Sequence, residues 1–201
     1  MLTDKGVADI SLRELSPRVG LAKSNVLRYF DSREAIFLEL LDEEWRLYLV
    51  DLEKLLGRPQ ARKPGYANEI RVATTIAESL VQRPRLCELI SAMAGVLERN
   101  ISTNFARDFK QRAMGNIAEL GQLICRHLPW LGDKYGALFA EGALTLAAGM
   151  YPFSNPTAPV AQAMVDIGMP DPRERFADGL REGLVSWLIG AAVRADAVGA
   201  E

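Results

Sequence analysis

Apolar residues in this chain recur at intervals of three and four almost from end to end, and that spacing constrains the fold more than any other feature. It lays side chains along one face of an α-helix, whereas a half-buried strand needs strict alternation. Signals for β-structure are nearly absent, so the chain is expected to be all-α. Its 201 residues, 49% of them hydrophobic, are enough to bury a real core in one large domain or two small ones. The longest apolar stretch, Gly142 to Phe153, falls short of the roughly 18 residues that a membrane span requires. Met-Leu-Thr-Asp-Lys at the amino terminus lacks the charged-then-apolar pattern of a signal peptide, and a cytoplasmic location is expected. Cys87 and Cys125 have no metal-like spacing and read as buried free thiols.

The periodicity divides into helices at recognisable stops. Ser11 to Val19 is a short helix opened by a Ser-x-x-Glu capping pattern (Ser11, Glu14); Gly20 ends it, and Ala22 to Phe30 follows. Asp31-Ser-Arg-Glu34 repeats the capping pattern and opens a long helix to about Leu56, with an apolar stripe of Ile36, Phe37, Leu40, Leu41, Leu47 and Leu52. Gly57 to Gly65 is a connection rich in Gly and Pro. Further helices are predicted over Tyr66 to Gln82, Pro84 to Leu97, a Ser102-capped stretch to Leu128, Asp133 to Tyr151 and Arg173 to Val193. Pro152 to Pro172 carries five prolines and reads mostly as loop, with one short helix near Val160 to Ile167.

Two short helices joined by a Gly-containing turn form a helix-turn-helix pattern. Leu12, Leu15, Val19, Leu21, Val26 and Phe30 supply a small core that fixes the angle between them. Lys23, Ser24, Asn25, Arg28 and Tyr29 are left for the outer face of the second helix, which such motifs offer to the major groove. Asn reads adenine and Arg or Lys reads guanine, while Ser and Tyr commonly hold phosphates. Net charge is −2, so whole-chain charge argues against nucleic acid, but six bases against three acids between Lys5 and Arg33 give a local excess of +3. On spacing and charge alone, a helical hairpin with a solvated polar face remains the competing reading.

The order of residues in Ser11-Leu-Arg-Glu-Leu-Ser-Pro-Arg-Val-Gly-Leu-Ala-Lys-Ser-Asn-Val-Leu-Arg-Tyr-Phe-Asp-Ser-Arg-Glu-Ala-Ile36 closely resembles the signature of the TetR family of transcriptional regulators. Arg-Tyr-Phe followed by Asp-Ser-Arg-Glu is its most specific part, and the strong resemblance covers about Gly6 to Leu41. It implies a DNA-binding domain over residues 1–46 and a helical effector-binding and dimerisation domain over 47–201. It also implies a palindromic double-stranded operator read by Lys23, Ser24, Asn25 and Arg28, with Tyr29 and Arg33 on phosphates. The family's first helix is expected to be missing or truncated here, since too few residues precede Gly6. Three further departures stand out. Ala22 replaces the usual Ser or Thr cap of the recognition helix, a change worth about 1 kcal/mol. Leu27 replaces an aromatic that often meets the backbone. Pro17 removes the amide that would bond to the Arg13 carbonyl, so a kink is expected there.

In such proteins the last two long helices of each subunit form a four-helix dimer interface. Here those are Asp133 to Tyr151 and Arg173 to Val193, and the expected interface residues are Gly142, Leu146, Gly149, Leu180, Gly183, Leu184 and Trp187. A purely intramolecular helix pair is the alternative. Met93, Leu97, Phe105, Phe109, Met114, Trp130, Phe139 and Tyr151 are candidates for lining a pocket for an apolar or amphipathic effector, although each suits plain core packing as well. His127, the only histidine, reads first as a charge or cap at a helix carboxyl end. No paired catalytic motif, phosphate loop, nucleophile constellation or metal cluster is present, so no enzyme, cofactor or metal is expected. The resulting function is a DNA-binding regulator, usually a repressor released by a small molecule. Its rival is a helical ligand-binding or interaction protein that does not bind DNA.

Overall fold

The computed structural model describes Val7 and residues 32–198. Among the described residues there are seven α-helices and no strand: α1 Arg33–Leu56, α2 Ala67–Val81, α3 Pro84–Ala92, α4 Thr103–His127, α5 Gly132–Met150, α6 Ala158–Asp166 and α7 Pro172–Val198. The all-α expectation holds. A π-helical turn, Met93–Leu97, continues α3, and short 3-10 turns, Pro129–Leu131 and Tyr151–Ser154, flank α5.

Local chemistry accounts for most boundaries. Ser32 caps α1, its Oγ accepting from the Ala35 amide at 3.1 Å. The cap sits one residue beyond the start of the Asp31–Glu34 pattern, and Glu34 turns sideways to Arg33. Gly57 ends α1 at φ +65°, a conformation that costs a glycine little. Ser102 caps α4, accepting from the Phe105 amide at 3.3 Å, and Pro129 stands just past its end. Pro84 occupies the first turn of α3, where its missing amide costs nothing. The helix predicted from Arg173 begins one residue earlier, because Asp171 Oδ1 accepts from the Arg173 and Glu174 amides. It also runs five residues past the predicted end at Val193, since nothing in the Ala-rich tail stops it.

The buried stripe of α1 is Leu38, Leu41, Trp45, Tyr48, Leu49, Leu52 and Leu56, with Phe37 beside it. Leu47, expected in that stripe, is exposed. Its apolar neighbours Val50 and Leu55 are exposed as well, so α1 carries more apolar residues than one buried face can hold. Helix α2 lies along α7, α4 along α5, and α5 along α7, while α1 packs on α4 and α3. Val72, Ala73, Ile76, Ala77 and Leu80 from α2 and Leu180, Leu184, Leu188 and Ala192 from α7 belong to the same core. Each large side chain buried there contributes about 1.5–3 kcal/mol relative to exposure.

Candidate functional site

Lys23, Ser24, Asn25, Arg28 and Tyr29, the two short helices that carry them and the Pro17 kink lie outside the described residues. Arg33 is described and opens α1. Its Nε and Nη2 both donate to Glu34 Oε1, at 3.1 and 2.7 Å. Burial pushes the Glu34 carboxyl up, but its own backbone amide, Arg33 and the Asn100 side chain together hold it below the usual carboxylate range.

From that first turn α1 is tied down along its length. Arg112 donates to both oxygens of Glu39, at 2.6 and 3.0 Å, and Asn116 donates to Asp42 at 2.9 Å. Arg85 reaches Glu44, Arg83 pairs with Asp51, and Arg126 reaches Glu53. Exposed pairs contribute at most about 1 kcal/mol each, so their value here is in fixing where α1 lies on α3 and α4. At the far end Arg71 of α2 donates to the Leu56 carbonyl at 3.1 Å, and its other amino group lies 3.4 Å from His127 Nδ1.

His127 is the last residue of α4, as its sequence position suggested, but it is not a charge there. The ring is buried, and burial, with Arg71 and Arg126 beside it, pushes its pKa below the ordinary value despite Glu53. That shift favours the neutral ring, whose Nδ1 faces a guanidinium.

The candidate effector residues divide. Leu97, Phe109, Phe139 and Tyr151 are buried in one continuous core, and Met93, Phe105 and Trp130 pack against it. Tyr151 meets Phe176 edge-on at 5.5 Å. Met114 is 70% exposed and stands apart from the rest. Phe105 also lines an open cleft of about 460 Å³ with Glu39, Asp108, Gln111 and Arg112. Trp130 is engaged at another corner, where it donates to the buried Glu69 at 2.7 Å and lies under the Arg62 guanidinium.

Sequence reasoning passed over Trp45 and Tyr48. Both are buried, with ring centroids 5.4 Å apart. The Tyr48 hydroxyl accepts from Ser79 at 3.4 Å, whereas the Trp45 indole N–H has no partner among the described residues. The available signal was the recurrence of Leu41, Trp45 and Leu49 at four-residue intervals. Cys87 is buried as expected, its thiol pushed up to about 12 by burial; Cys125 is only partly buried. Among the described residues no group of His, Cys, Asp and Glu is arranged to hold a metal, and no helix is long and apolar enough to cross a membrane.

The small residues of α5 and α7 join these two helices within the chain. Gly142 receives the Trp187 ring, Gly183 receives Leu146 and Gly179 receives Met150, so the helices run antiparallel at close approach. Leu180 and Leu184, expected between subunits, are fully buried within the single chain. Leu138 of α5 and Trp187 and Val193 of α7 remain roughly half exposed, and a β-carbon at Gly149 or Gly190 would meet nothing within 4 Å. No curated protein matches the chain. The sequence profile of the family described as tetracyclin repressor-like, C-terminal domain, matches residues 44–195, well over half of the chain. That match takes in most of the core, the exposed Leu138, Trp187 and Val193 and all of α1 beyond its first three turns, and the chain belongs to the tetracycline repressor-like family of regulators.

Proposed function

We propose that this chain is a sequence-specific DNA-binding transcriptional regulator, a homodimeric repressor released when an apolar or amphipathic molecule enters its helical domain. The observation that carries the reading is α1. One unbroken helix starts inside the 11–36 segment that resembles the family's DNA reader and ends deep in the domain that matches the family profile. Lys23, Ser24, Asn25 and Arg28 read base edges, while Tyr29 and Arg33 hold phosphates. Arg33 suits that role by position, because the first turn of a helix favours a nearby anion. The effector is taken up among the core aromatics, where the Trp45 indole N–H offers a donor to a ligand carrying an acceptor. The exposed sides of α5 and α7, with Leu138, Trp187 and Gly190, form the pairing face. The effector acts only through its differential affinity for two arrangements of the dimer.

The test is selection of bound duplexes from a random pool by the purified full chain, followed by a thermal-shift screen with apolar and cationic-aromatic compounds. The expected result is a palindrome whose half-sites lie about 10 base pairs apart or at a multiple of that spacing. Compounds that stabilise the protein should then release it from that sequence. Failure to enrich any sequence at low salt would refute DNA reading and favour a helical ligand-binding or interaction protein.

A further inference from the structure

A polar corner lies where the 57–66 connection, the first turn of α2, the turn before α5 and the end of α7 meet. Trp130 on that turn donates its indole N–H to Glu69 of α2 at 2.7 Å, which fixes the plane of the ring. Glu69 is only 1% exposed. A carboxylate taken that far out of water is costly without a cation beside it. The cation here is Arg62, whose guanidinium carbon stands 5.0 Å from the centre of the Trp130 ring and which also donates to Asp196 of α7. Donating to Asp196 raises the Arg62 pKa above its ordinary value; burial opposes this, and the charges of Asp196 and Glu69 add to it. The surroundings therefore favour a cation. An aromatic face with two carboxylates close by is the chemistry that recognises a planar cation from any source.

Arg62 fills this corner loosely. Its side chain is 45% exposed and that of Asp196 43%, and ion pairs so open to water are weak. Beside them lies a cavity of about 270 Å³ whose lining includes Arg62, Tyr66, Glu69 and Asp196. That is room for a small molecule. Lys63 also lines it, but its ammonium donates to Gln60 at 3.1 Å. The backbone that carries Arg62 is held separately. The buried Asn68 accepts from the Lys63 amide at 2.9 Å and donates to the Ala61 carbonyl at 3.2 Å. The Arg62 side chain can therefore swing out while the connection keeps its path. Arg83 over Tyr48 makes the contrast: its partner Asp51 is half exposed and needs no cation to offset burial. We infer that Trp130, Glu69 and Asp196 form a binding site for a small organic cation with a planar guanidinium or amidinium head, and that Arg62 occupies it as an internal stand-in which such a ligand displaces. Such a site needs neither DNA nor a second subunit.

The test uses the full chain at constant ionic strength, with benzamidinium as the cation and benzamide as its neutral counterpart. The indole N–H resonance of Trp130, assigned by its loss in Trp130→Phe, reports the site. Benzamidinium should shift that resonance in the parent at millimolar concentration, and benzamide should not. Arg62→Ala removes the stand-in and should bind benzamidinium at least about tenfold more tightly. Adding Asp196→Asn should take most of that gain away, because a carboxylate partner is lost. A folded Arg62→Ala that binds benzamidinium no more tightly than the parent, or binds benzamide equally well, shows Arg62 to be a plain tether and overturns the site. Circular dichroism establishes the fold of each variant. Should Arg62→Ala lose the parental helicity, the parent decides alone: a Trp130 resonance that benzamidinium leaves in place up to tens of millimolar overturns the site, and a shift that benzamide does not produce upholds it.

Discussion

Gly190→Arg separates the pairing face from the protomer's own packing. A β-carbon at Gly183 would strike Leu146, one at Gly142 the Trp187 ring, and one at Gly179 the tip of Met150. Larger residues at those positions damage the α5–α7 contact before any second copy is involved. Gly190 lies one turn beyond Trp187 on the same side of α7, and a β-carbon there meets nothing within 4 Å. Within the protomer the substitution exchanges a poor helix former for a good one, a gain of about 0.8 kcal/mol. In a twofold dimer built on this face, each arginine is pressed against the partner and the change enters the interface twice. An uncompensated buried charge costs about 3–5 kcal/mol, so association should weaken by at least roughly a hundredfold. Sedimentation equilibrium from nanomolar to micromolar concentration reads this directly. Thermal unfolding at a dilution where the parent is monomeric should give the variant an equal or slightly higher Tm. A variant that dimerises with parental affinity would show that this face is not buried in the dimer. A variant that loses helicity at all concentrations would show that the site is not open as the geometry requires.

Three other outcomes are expected. Gly142→Ala should lose about 1 kcal/mol, because overpacking against Trp187 costs about 1–3 kcal/mol and helix propensity returns about 1; Gly149→Ala, with open space at its β-carbon, should gain up to about 1 kcal/mol in the monomer, and urea midpoints separate the two. His127 is held neutral in the folded state, so its contribution to stability is present above the ordinary value of 6.5 and is lost as pH falls below it. The urea midpoint should drop between pH 7.5 and pH 5, less so in His127→Gln, which keeps an acceptor for Arg71; equal drops would remove His127 from the account. Asn25→Ala or Arg28→Ala should each lower operator affinity by about 1–3 kcal/mol and relax base preference at one position per half-site, whereas Arg33→Ala should weaken all sequences alike and flatten the salt dependence, and parental binding by the first two would show that this helix is not the reader.

Helix limits were legible wherever the backbone announces them chemically. Gly57, Pro84, Ser102 and Pro129 each mark an end because each satisfies or removes a terminal backbone group, and the cap of α1 falls on Ser32, one residue from the Asp31 that the spacing suggests. The carboxyl end of α7 was not legible, because its Ala-rich tail carries neither Gly nor Pro until past Val198. Phase was harder than period. With Leu47, Val50 and Leu55 added to a full buried stripe, α1 fits more than one choice of inner face, and only packing on α3 and α4 decides among them. The same limit applies to α7. Its leucines and its glycines both suit a pairing surface by spacing, yet Leu180 and Leu184 go inward and Gly183 is filled by Leu146. The long contact between α2 and α7 joins segments about a hundred residues apart and leaves no trace in local spacing. Met114 fits a helical pattern as well as Phe109 does, but it falls on the outer side of α4. Trp45 is hidden for the opposite reason: an aromatic within a core stripe looks like filler until its indole N–H is seen to lack a partner among the described residues.

The proposed release mechanism needs small changes in the core to become large ones at the DNA, and α1 has the shape for it. At 1.5 Å per residue its 24 residues span about 36 Å from Arg33 to Leu56. A tilt of only about 5° around the Leu56 end therefore moves the Arg33 end by roughly 3 Å, close to one base-pair step. In a twofold dimer the two displacements are mirrored and both enter the separation of the half-sites. What resists the tilt is visible. Arg71 holds the Leu56 carbonyl at the pivot, and the Glu39–Arg112 and Asp42–Asn116 contacts hold the N-terminal half of the helix against α4. Trp45 lies between these fixings, on the buried stripe of α1. A ligand that engages its indole N–H and displaces α4 acts on the helix between its pivot and its load. A ligand bound elsewhere in the core, touching neither α1 nor α4, has no comparable purchase on the reader.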